Sequence, residues 1–302
     1  MLKKIRKFLG KCKYQIIIFM SKINFTLFYK KNKYKILSDE EIINKIIDEK
    51  KSLSRFGDGE FKWMLGKKQV SFQENNAKMM YKLKEVFEEE NEDLIIGIPK
   101  ALNSLENLNK YAKKEWKLFI LFFYNSIKKY IKVDKEYADT NITRFYMDYV
   151  DKSNCKNKIE NIKRIWEKRD ILIVEGEKTK LGVGNDLFQN AKTINRIIAP
   201  SKNAFDVYER ILEEAYSNGK DKLILISLGP TATILASDLS KKGYQGIDIG
   251  HIDIEYEWFL SNANDKVPVK GKYVNEAKSK GDLSDEDIED EEYKKSIINI
   301  IK

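Results

Sequence analysis

Short apolar runs alternate with longer amphipathic stretches through most of this chain, and no other property of the sequence narrows the choice of fold as much. The apolar runs predict strands over residues 94–98, 171–174, 196–199, 223–228 and 246–250. The amphipathic stretches predict helices over residues 76–90, 104–131, 155–168, 203–217 and 231–242. Continuous apolar strands separated by helices are typical of a parallel sheet covered on both faces. The sequence therefore predicts an α/β protein with a doubly wound, Rossmann-like, mostly parallel sheet and helices on both faces.

The folded region is predicted to begin at Ser38. This residue is a candidate N-cap for the segment that follows, which has acids in its first turn and lysines in its last. Short strands are predicted over about residues 52–56 and near 70–72. We therefore divide the chain into an N-terminal arm of residues 1–37, an α/β domain of residues 38–265 and a charged tail of residues 266–302. The tail is predicted to be a solvated helix or a loose end.

The net charge of +9 is concentrated in the arm. Residues 1–38 contain eleven Lys and Arg and no acid, so the rest of the chain has a net charge of +9 − 11 = −2. The arm also carries bulky apolar residues, at positions 8, 16–19, 25 and 28. Such a mixture favours an amphipathic element on an anionic membrane surface, formed by residues 1–36, or a solvated and partly helical extension. Nucleic-acid binding is not predicted, because the body offers no matching basic face.

Cysteine use and hydropathy predict a cytoplasmic protein. If residues 1–36 form an amphipathic element on an anionic membrane surface, the protein is expected to contact the inner membrane face. Cys12 and Cys155 lie in no pair motif, so neither a disulfide framework nor a structural zinc site is expected. No apolar run approaches the roughly 20 residues that span a bilayer. The run at residues 16–20 is too short for the core of a signal peptide.

Polar loops follow four of the predicted strands, beginning at residues 175, 200, 229 and 251. The carboxyl ends of parallel strands meet at one edge of a sheet, which is where such folds bind ligands. The sequence therefore predicts a ligand site at that edge.

Two of these loops resemble phosphate-binding turns. Residues 182–188 begin as G-x-G but lack the third glycine, because position 187 is Leu, and this excludes the dinucleotide fingerprint. A turn that touches a nucleotide and a plain turn both remain open there. The turn at Ser227–Thr231 precedes a predicted helix, whose first amides could receive phosphate oxygens or could simply be capped. No G-x-x-x-x-G-K loop is present, which argues against a nucleotide-dependent phosphotransferase.

The only histidine, His251, begins an acid-rich stretch. If the stretch is extended, His251 shares a face with Asp253, Glu255 and Glu257; if it is helical, His251 and Glu255 are neighbours. Either arrangement places an imidazole near carboxylates, as in a general base. A structural hydrogen-bonding role is the alternative.

The sequence Gly57-Asp58-Gly59-Glu60 has glycines that free the backbone and two carboxylates. In an extended segment Asp58 and Glu60 point the same way, and such oxygen ligands suit Mg²⁺ or Mn²⁺. The alternative is that Asp58 is the N-cap of a helix over residues 60–66, with Glu60 in its first turn.

Four blocks of sequence together resemble the bacterial GT-D glycosyltransferases: SRFGDGEF, GVGNDLF, RIIAPSKNAFDVYERIL and SLGPTATILASDLSKKGYQGIDIGHIDIEYEW. The resemblance covers about residues 38–265. It implies a Rossmann-like α/β fold distinct from the two common glycosyltransferase architectures. It also implies that a D-x-E motif, here Asp58 and Glu60, holds a divalent metal that bridges the diphosphate of a UDP-sugar.

The resemblance also assigns site residues. It implies that Gly182, Gly184, Asn185, Asp186, Lys202, Asn203 and the Ser227–Thr231 turn, with Gly229 and Thr231, line the nucleotide cleft. We add Arg55 and Gly57, which adjoin the D-x-E motif, to this expected nucleotide-binding set. The stretch His251–Glu257 is expected to face the sugar and the acceptor.

The predicted function is metal-dependent transfer of a hexose from a UDP-sugar, such as UDP-glucose, to a hydroxyl of a glycan or glycoprotein. Arg55 or Lys202 is expected to add positive charge at the leaving diphosphate. The base is predicted to be Glu255, Glu257 or His251, with a carboxylate preferred, and a single base implies inversion at the anomeric carbon. The alternative is a non-catalytic sugar-nucleotide-binding scaffold or sensor in a surface-glycan assembly complex.

Overall fold

A single nine-stranded sheet organises the computed structural model, which describes residues 15–17, 19, 24–67, 69, 72–281, 283–286 and 290–302. The strands are β1 (Lys35–Ile36), β2 (Ser52–Arg55), β3 (Leu94–Ile98), β4 (Glu136–Asp139), β5 (Asp170–Gly176), β6 (Thr193–Ala199), β7 (Leu223–Ser227), β8 (Gln245–Asp248) and β9 (Ile297–Ile300). Their order in the sheet is β1-β4-β3-β2-β8-β7-β5-β6-β9, and every neighbouring pair is parallel.

Helices connect these strands. They are α1 (Phe25–Lys31), α2 (Asp39–Asp48), α3 (Asp58–Met64), α4 (Ala77–Glu88), α5 (Lys110–Ile127), α6 (Cys155–Lys163), α7 (Tyr208–Gly219), α8 (Pro230–Ser240), α9 (Ile252–Leu260) and α10 (Glu291–Ser296). The predicted start of the folded region is confirmed at α2, where Ser38 accepts the N–H of Glu41 and the Glu41 carboxylate accepts the N–H of Ser38.

Helices cover both faces of the sheet, which confirms the predicted doubly wound class. In β5, Leu172 and Val174 belong to a buried cluster that includes side chains of α4, α5, α7 and α8, whereas Ile171 and Ile173 belong to a second cluster with side chains of α2, α6 and α9. This alternation follows from the two-residue period of a strand. A strand that is buried on both faces is apolar throughout, which is why its sequence was recognisable.

Three strands were not predicted: β1, β4 and β9. The four residues of β4 include two acids, and β9 lies in the predicted charged tail, where it pairs with β6. Of the strand predicted near residues 70–72, positions 70 and 71 lie outside the described residues, and Phe72 is in a bend.

Part of the N-terminal arm packs on the body of the protein. The ring centroids of Phe28 and Tyr124 lie 4.7 Å apart, and the hydroxyl of buried Tyr34 lies 2.8 Å from that of Tyr124. The described arm is therefore attached to α5, and most of the predicted amphipathic element lies outside the described residues. No helix in the described part of the chain is both long and apolar enough to cross a membrane.

Candidate functional site

A cleft of about 560 Å³ lies at the carboxyl edge of the sheet. Loops after β2, β4, β5, β6, β7 and β8 line it, together with one face of α5 and residues of the segment 266–277. In a parallel sheet these loops converge because all strands run the same way. The cleft therefore occupies the edge at which the sequence predicts a ligand site.

The Arg55 side chain ties three strand ends together at this edge. Its Nη2 donates to Asp248 Oδ1 at 2.8 Å, and its Nε donates to the Asp248 carbonyl at 2.8 Å. Its Nη1 donates to the carbonyl of Thr140 and the hydroxyl of Thr143. The side chain is only 10% exposed. Arg55 lines the cleft, but most of its donors are used to fix the relative positions of β2, β8 and the loop after β4.

The Gly57–Glu60 turn begins a helix, and Gly57 is the N-cap rather than Asp58. Glu60 Oε2 accepts the N–H of Gly57 at 3.0 Å, and Asp58 pairs with Lys62 one turn later. Neither glycine has a positive φ. A Cβ at Gly57 would lie 3.1 Å from Glu60 Oε2, and one at Gly59 would lie 3.0 Å from the Trp63 ring. The glycines therefore make room for neighbouring side chains, rather than supplying the backbone freedom expected of them.

The Glu60 carboxyl is partly buried near two other acids that line the cleft, Asp58 and Asp248. Burial, followed by the charge of Asp248, raises the pKa of the Glu60 carboxyl to about 7, and Asp58 adds to the shift while Arg55 opposes it. A bound cation would relieve this repulsion.

Asp58 and Glu60 offer a donor set that fits Mg²⁺ or Mn²⁺. Both line the cleft, and within the described residues each carboxylate has one oxygen that takes no hydrogen bond. The helical turn does not place the two carboxylates on one face, as an extended segment would. In the described part of the chain no cluster of three or more His, Cys, Asp and Glu is arranged to hold a metal. Mg²⁺ is typically held by one or two carboxylates, with water and phosphate completing its shell.

His251 lines the cleft directly after β8. Its Nε2 lies 3.9 Å from Glu276 Oε2, and Glu276 Oε1 accepts from Arg144 Nη2 at 2.8 Å. Glu276 has the largest influence on the His251 pKa and raises it, but burial and the charges of Arg144, Arg55 and Lys266 outweigh this and lower the pKa below its ordinary value. Burial alone would raise the pKa of Glu276, but the imidazole and Arg144 lower it. The lowered pKa of His251 favours the neutral imidazole near pH 7.

Glu255 lies in the interior. Residues 252–260 form a helix, so the extended alternative for the stretch after His251 is wrong. Glu255 is fully buried, and its Oε2 accepts the backbone N–H groups of Tyr146 at 3.0 Å and Met147 at 2.9 Å. It does not line the cleft, and its contacts position the chain after β4. The preference for a carboxylate base finds no support in this placement.

The Gly-Val-Gly-Asn-Asp turn packs against α9 instead of lining the cleft. Asn185 Nδ2 donates to Asp253 at 2.8 Å and to Glu257 at 2.7 Å, and Lys272 Nζ lies 2.8 Å from each of the same two carboxylates. Glu257 is held in this network and does not line the cleft either.

Other members of this turn also make structural contacts. Asp186 accepts from the Tyr256 hydroxyl at 2.6 Å, and Gly182 has φ +71° where a Cβ would lie 2.5 Å from the Phe188 ring. Gly184 also has a positive φ, with nothing within 4 Å of the position of a Cβ. The structure therefore agrees with the second alternative for residues 182–188, a plain turn that does not contact a nucleotide.

Of the remaining predicted nucleotide-binding residues, only Ser227, Leu228 and Gly229 of the Ser227–Thr231 turn line the cleft. Lys202 is exposed outside it, and Asn203 Oδ1 accepts the N–H of Glu74 at 2.8 Å. Thr231 is buried in the first turn of α8, and its hydroxyl has no hydrogen-bond partner within the described residues. The start of α8 nevertheless reaches the cleft through Gly229.

The cleft residues that were not predicted from the sequence include Asp248, Arg144 and Glu276. Asp248 lies in the middle of the strand predicted over residues 246–250, whereas in the structure the strand ends at Asp248. Arg144 follows the unpredicted β4, and Glu276 lies in the predicted tail. Arg144 and Glu276 are far from His251 along the chain, so the sequence does not indicate that they lie beside it.

Comparison with known proteins identifies relatives. A family described as "Glycosyltransferase GT-D fold" matches residues 53–277. The chain is 37% identical over 260 residues to "Glycosyltransferase GlyD" of Streptococcus pneumoniae serotype 4, which is 86% of this chain and 31% of that protein. It is 35% identical over 266 residues to "Probable glycosyl transferase Gly" of Streptococcus gordonii, which is 87% of this chain and 38% of that protein. The chain thus spans well under half the length of these curated relatives.

Solved structures extend the similarity to the fold. A domain of unknown function, number 1792, described as having a distinct glycosyltransferase fold, matches with a TM-score of 0.86 at 35% identity, over 92% of this chain and 99% of that one. A structure described as a new glycosyltransferase of the same kind from Streptococcus sanguinis matches with a TM-score of 0.84 at 33% identity, over 89% of this chain and 100% of that one.

Proposed function

This chain belongs to the GT-D glycosyltransferase family, and we propose that it transfers a hexose from a UDP-sugar, such as UDP-glucose, to a hydroxyl of a glycan or glycoprotein, using Mn²⁺ or Mg²⁺. The observation that carries the metal-dependent part is that three acids, Asp58, Glu60 and Asp248, line the same cleft at the carboxyl edge of the sheet. Such an environment favours a divalent cation and the phosphates that accompany it.

In this proposal Asp58 and Glu60 hold the cation. The cation, when bound, would neutralise the charge that develops on the leaving diphosphate. The amides at the start of the eleven-residue α8, reached through Gly229, add the positive end of a helix dipole to the same cleft. Arg55 holds Asp248 and Thr140 in position, so that the loops around the donor keep their spacing.

His251 is proposed as the base for the acceptor. Of the three base candidates from the sequence, it alone lines the cleft. As the anomeric C–O bond to diphosphate breaks and the bond to the acceptor oxygen forms, the imidazole accepts the hydroxyl proton. Glu276 stabilises the resulting imidazolium. Inversion at the anomeric carbon stays a prediction.

Replacing His251 with Gln should lower kcat for transfer by about 100-fold or more, the usual contribution of general-base catalysis.

At saturating Mn²⁺, activity of the parent protein should fall only below the ordinary imidazole pKa of about 6.5, because the His251 pKa is lowered. Glu276→Gln removes the influence that raises this pKa, so the acidic limb should move to lower pH. A pH–rate profile that is identical in the parent and Glu276→Gln proteins would argue against His251 as the base.

A donor screen tests the proposed function as a whole. We expect UDP release from at least one of UDP-glucose, UDP-galactose and UDP-N-acetylglucosamine, at a rate that rises with added Mn²⁺ and falls with EDTA. Donor binding without turnover, with or without an acceptor, would instead support the scaffold or sensor. Peripheral membrane contact through the arm stays a prediction.

A further inference from the structure

The basic side chains in the described lining of the cleft are paired with acids, and one of these acids belongs to the proposed metal site. The pairs outside that site include Arg55 with Asp248, Arg144 with Glu276, Lys178 with Asp285 and Lys266 with Asp148. Lys62, in contrast, pairs with Asp58. Its ammonium group therefore already occupies a carboxylate that is proposed to hold the cation.

The pair between Lys62 and Asp58 is open to the cleft. Lys62 Nζ donates to Asp58 Oδ2 and lies 5.9 Å from the centroid of the Phe123 ring, which also lines the cleft. The Asp58 side chain is 56% exposed and that of Lys62 is 27% exposed. A cation from solvent can therefore reach Asp58 while Lys62 is still bound to it.

The backbone of α3 is held in place, so only side chains need to move when Asp58 changes its partner. Phe61, Trp63 and Met64 of this helix are buried. Lysine suits an exchange of partners, because its ammonium is a compact charge with three donors on a flexible four-carbon chain. A surface ion pair of the i,i+4 kind contributes little to stability, so Lys62 can leave Asp58 at small cost.

Electrostatics gives the direction of that exchange. A doubly charged ion on Asp58 and Glu60 would repel the Lys62 ammonium twice as strongly as a singly charged ion would at the same distance. Lysine binds phosphate oxygens as a point charge. The diphosphate that accompanies the cation therefore offers Lys62 new acceptors within the same cleft.

We propose that Lys62 exchanges partners: its ammonium neutralises Asp58 in the ligand-free protein and binds the donor diphosphate once a cation occupies Asp58 and Glu60. This inference rests on the proposed function, because it uses the same cation and the same diphosphate. Lys62 then competes with the cation before the donor binds and stabilises the donor afterwards. Its removal should change the two affinities in opposite directions.

The test measures both affinities on the full chain. Electron paramagnetic resonance of unbound Mn²⁺ gives the Kd of the metal without nucleotide, and calorimetry at saturating Mn²⁺ gives the Kd of UDP. Lys62→Met should bind Mn²⁺ about 10-fold more tightly than the parent protein and UDP about 10-fold more weakly. Lys62→Arg keeps the positive charge and should restore most of both affinities. Uridine, which has no phosphate, should bind Lys62→Met as it binds the parent.

Lys266→Met is the matched control. Lys266 lines the same cleft, is 21% exposed and pairs with Asp148 at 3.1 Å. The change removes one positive charge from the cleft without touching Asp58, so any general change in potential should appear in this variant as well. We expect both of its affinities to change much less than those of Lys62→Met.

The outcomes separate this inference from the proposed function. The inference is overturned if the two affinities of Lys62→Met do not move in opposite directions, or if they move no further than those of Lys266→Met. Loss of both would give Lys62 a structural role, and no change in either would make the pair an ordinary helix contact. A parent protein that binds no Mn²⁺, even with UDP, would overturn the metal-dependent function and this inference together.

Discussion

Changing Asp58 to Asn and Glu60 to Gln in one variant should reduce metal-dependent turnover by about 1,000-fold or more, which corresponds to about 4 kcal/mol of lost transition-state stabilisation. The fold should survive. The amide side chain introduced by Glu60→Gln keeps an oxygen that can accept the N–H of Gly57, the contact that Glu60 makes in the first turn of α3. The lost pair between Asp58 and Lys62 is a helical i,i+4 pair near the surface, worth about 0.3–0.5 kcal/mol.

Thermal unfolding and turnover should both be measured for this variant. The parent protein should unfold at a higher temperature with UDP and Mn²⁺ than without, because a ligand that binds only the native state stabilises it. The double variant should lose that increase. Glu115→Gln removes another carboxylate of the same cleft and should keep both the increase and the Mn²⁺ dependence. Unchanged Mn²⁺-stimulated turnover in the double variant would refute the metal assignment.

Changing Gly250 to Ala adds one methyl group, and we expect it to be the most damaging glycine-to-alanine change near the cleft. Gly250 has φ +45°, and a Cβ there would lie 1.9 Å from Arg55 Nη2. The guanidinium would have to leave Asp248, and breaking a buried ion pair costs about 3–5 kcal/mol. We expect a loss of about 3 kcal/mol in the free energy of unfolding and, because Arg55 ties β2, β8 and the loop after β4, a fall in transfer rate of about 100-fold.

Gly243→Ala is the matched control for backbone strain. Gly243 has φ +75°, and nothing lies within 4 Å of the position of its Cβ. The Gly243→Ala variant should lose only about 1–2 kcal/mol of its free energy of unfolding, which is the cost of an alanine in the left-handed region. It should keep its activity. If urea unfolding shows Gly250→Ala to be as stable as Gly243→Ala, Arg55 does not have the anchoring role assigned to it.

The sheet was largely predictable because its central strands are buried on both faces. Leu172 and Ile173 pack on opposite sides, so both must be apolar, and the run is visible in the sequence. The edge strands escaped because they are short and only partly buried. In β9, residues 297–300 alternate between half-buried and exposed positions.

The candidate site was only partly predictable, because residue type does not determine burial. Glu255 and Glu60 are both acids beside predicted strand ends, yet Glu255 is held by the amides of Tyr146 and Met147, more than 100 positions earlier in the chain. In the same way, Gly182 indicates a turn, but only the structure shows that the turn packs against Phe188. Long-range contacts of this kind leave no local pattern.

The segment 266–277 illustrates the same limit. In the sequence it lies in a charged tail, but Lys272 is only 1% exposed between Asp253 and Glu257. This anchoring brings Glu276 to His251. A lysine is rarely buried without partners, and its partners here could not be inferred from spacing alone.

Asp58 and Glu60, as proposed here, would hold a divalent cation at the diphosphate of the donor. A crystal structure of the protein with UDP and Mn²⁺, with data collected at the manganese absorption edge, tests it most directly. We predict an anomalous peak within about 2.0–2.5 Å of at least one of these two carboxylates and of the diphosphate oxygens. UDP bound in the cleft with no manganese between it and these side chains, and with Asp58 still paired to Lys62, would contradict the claim.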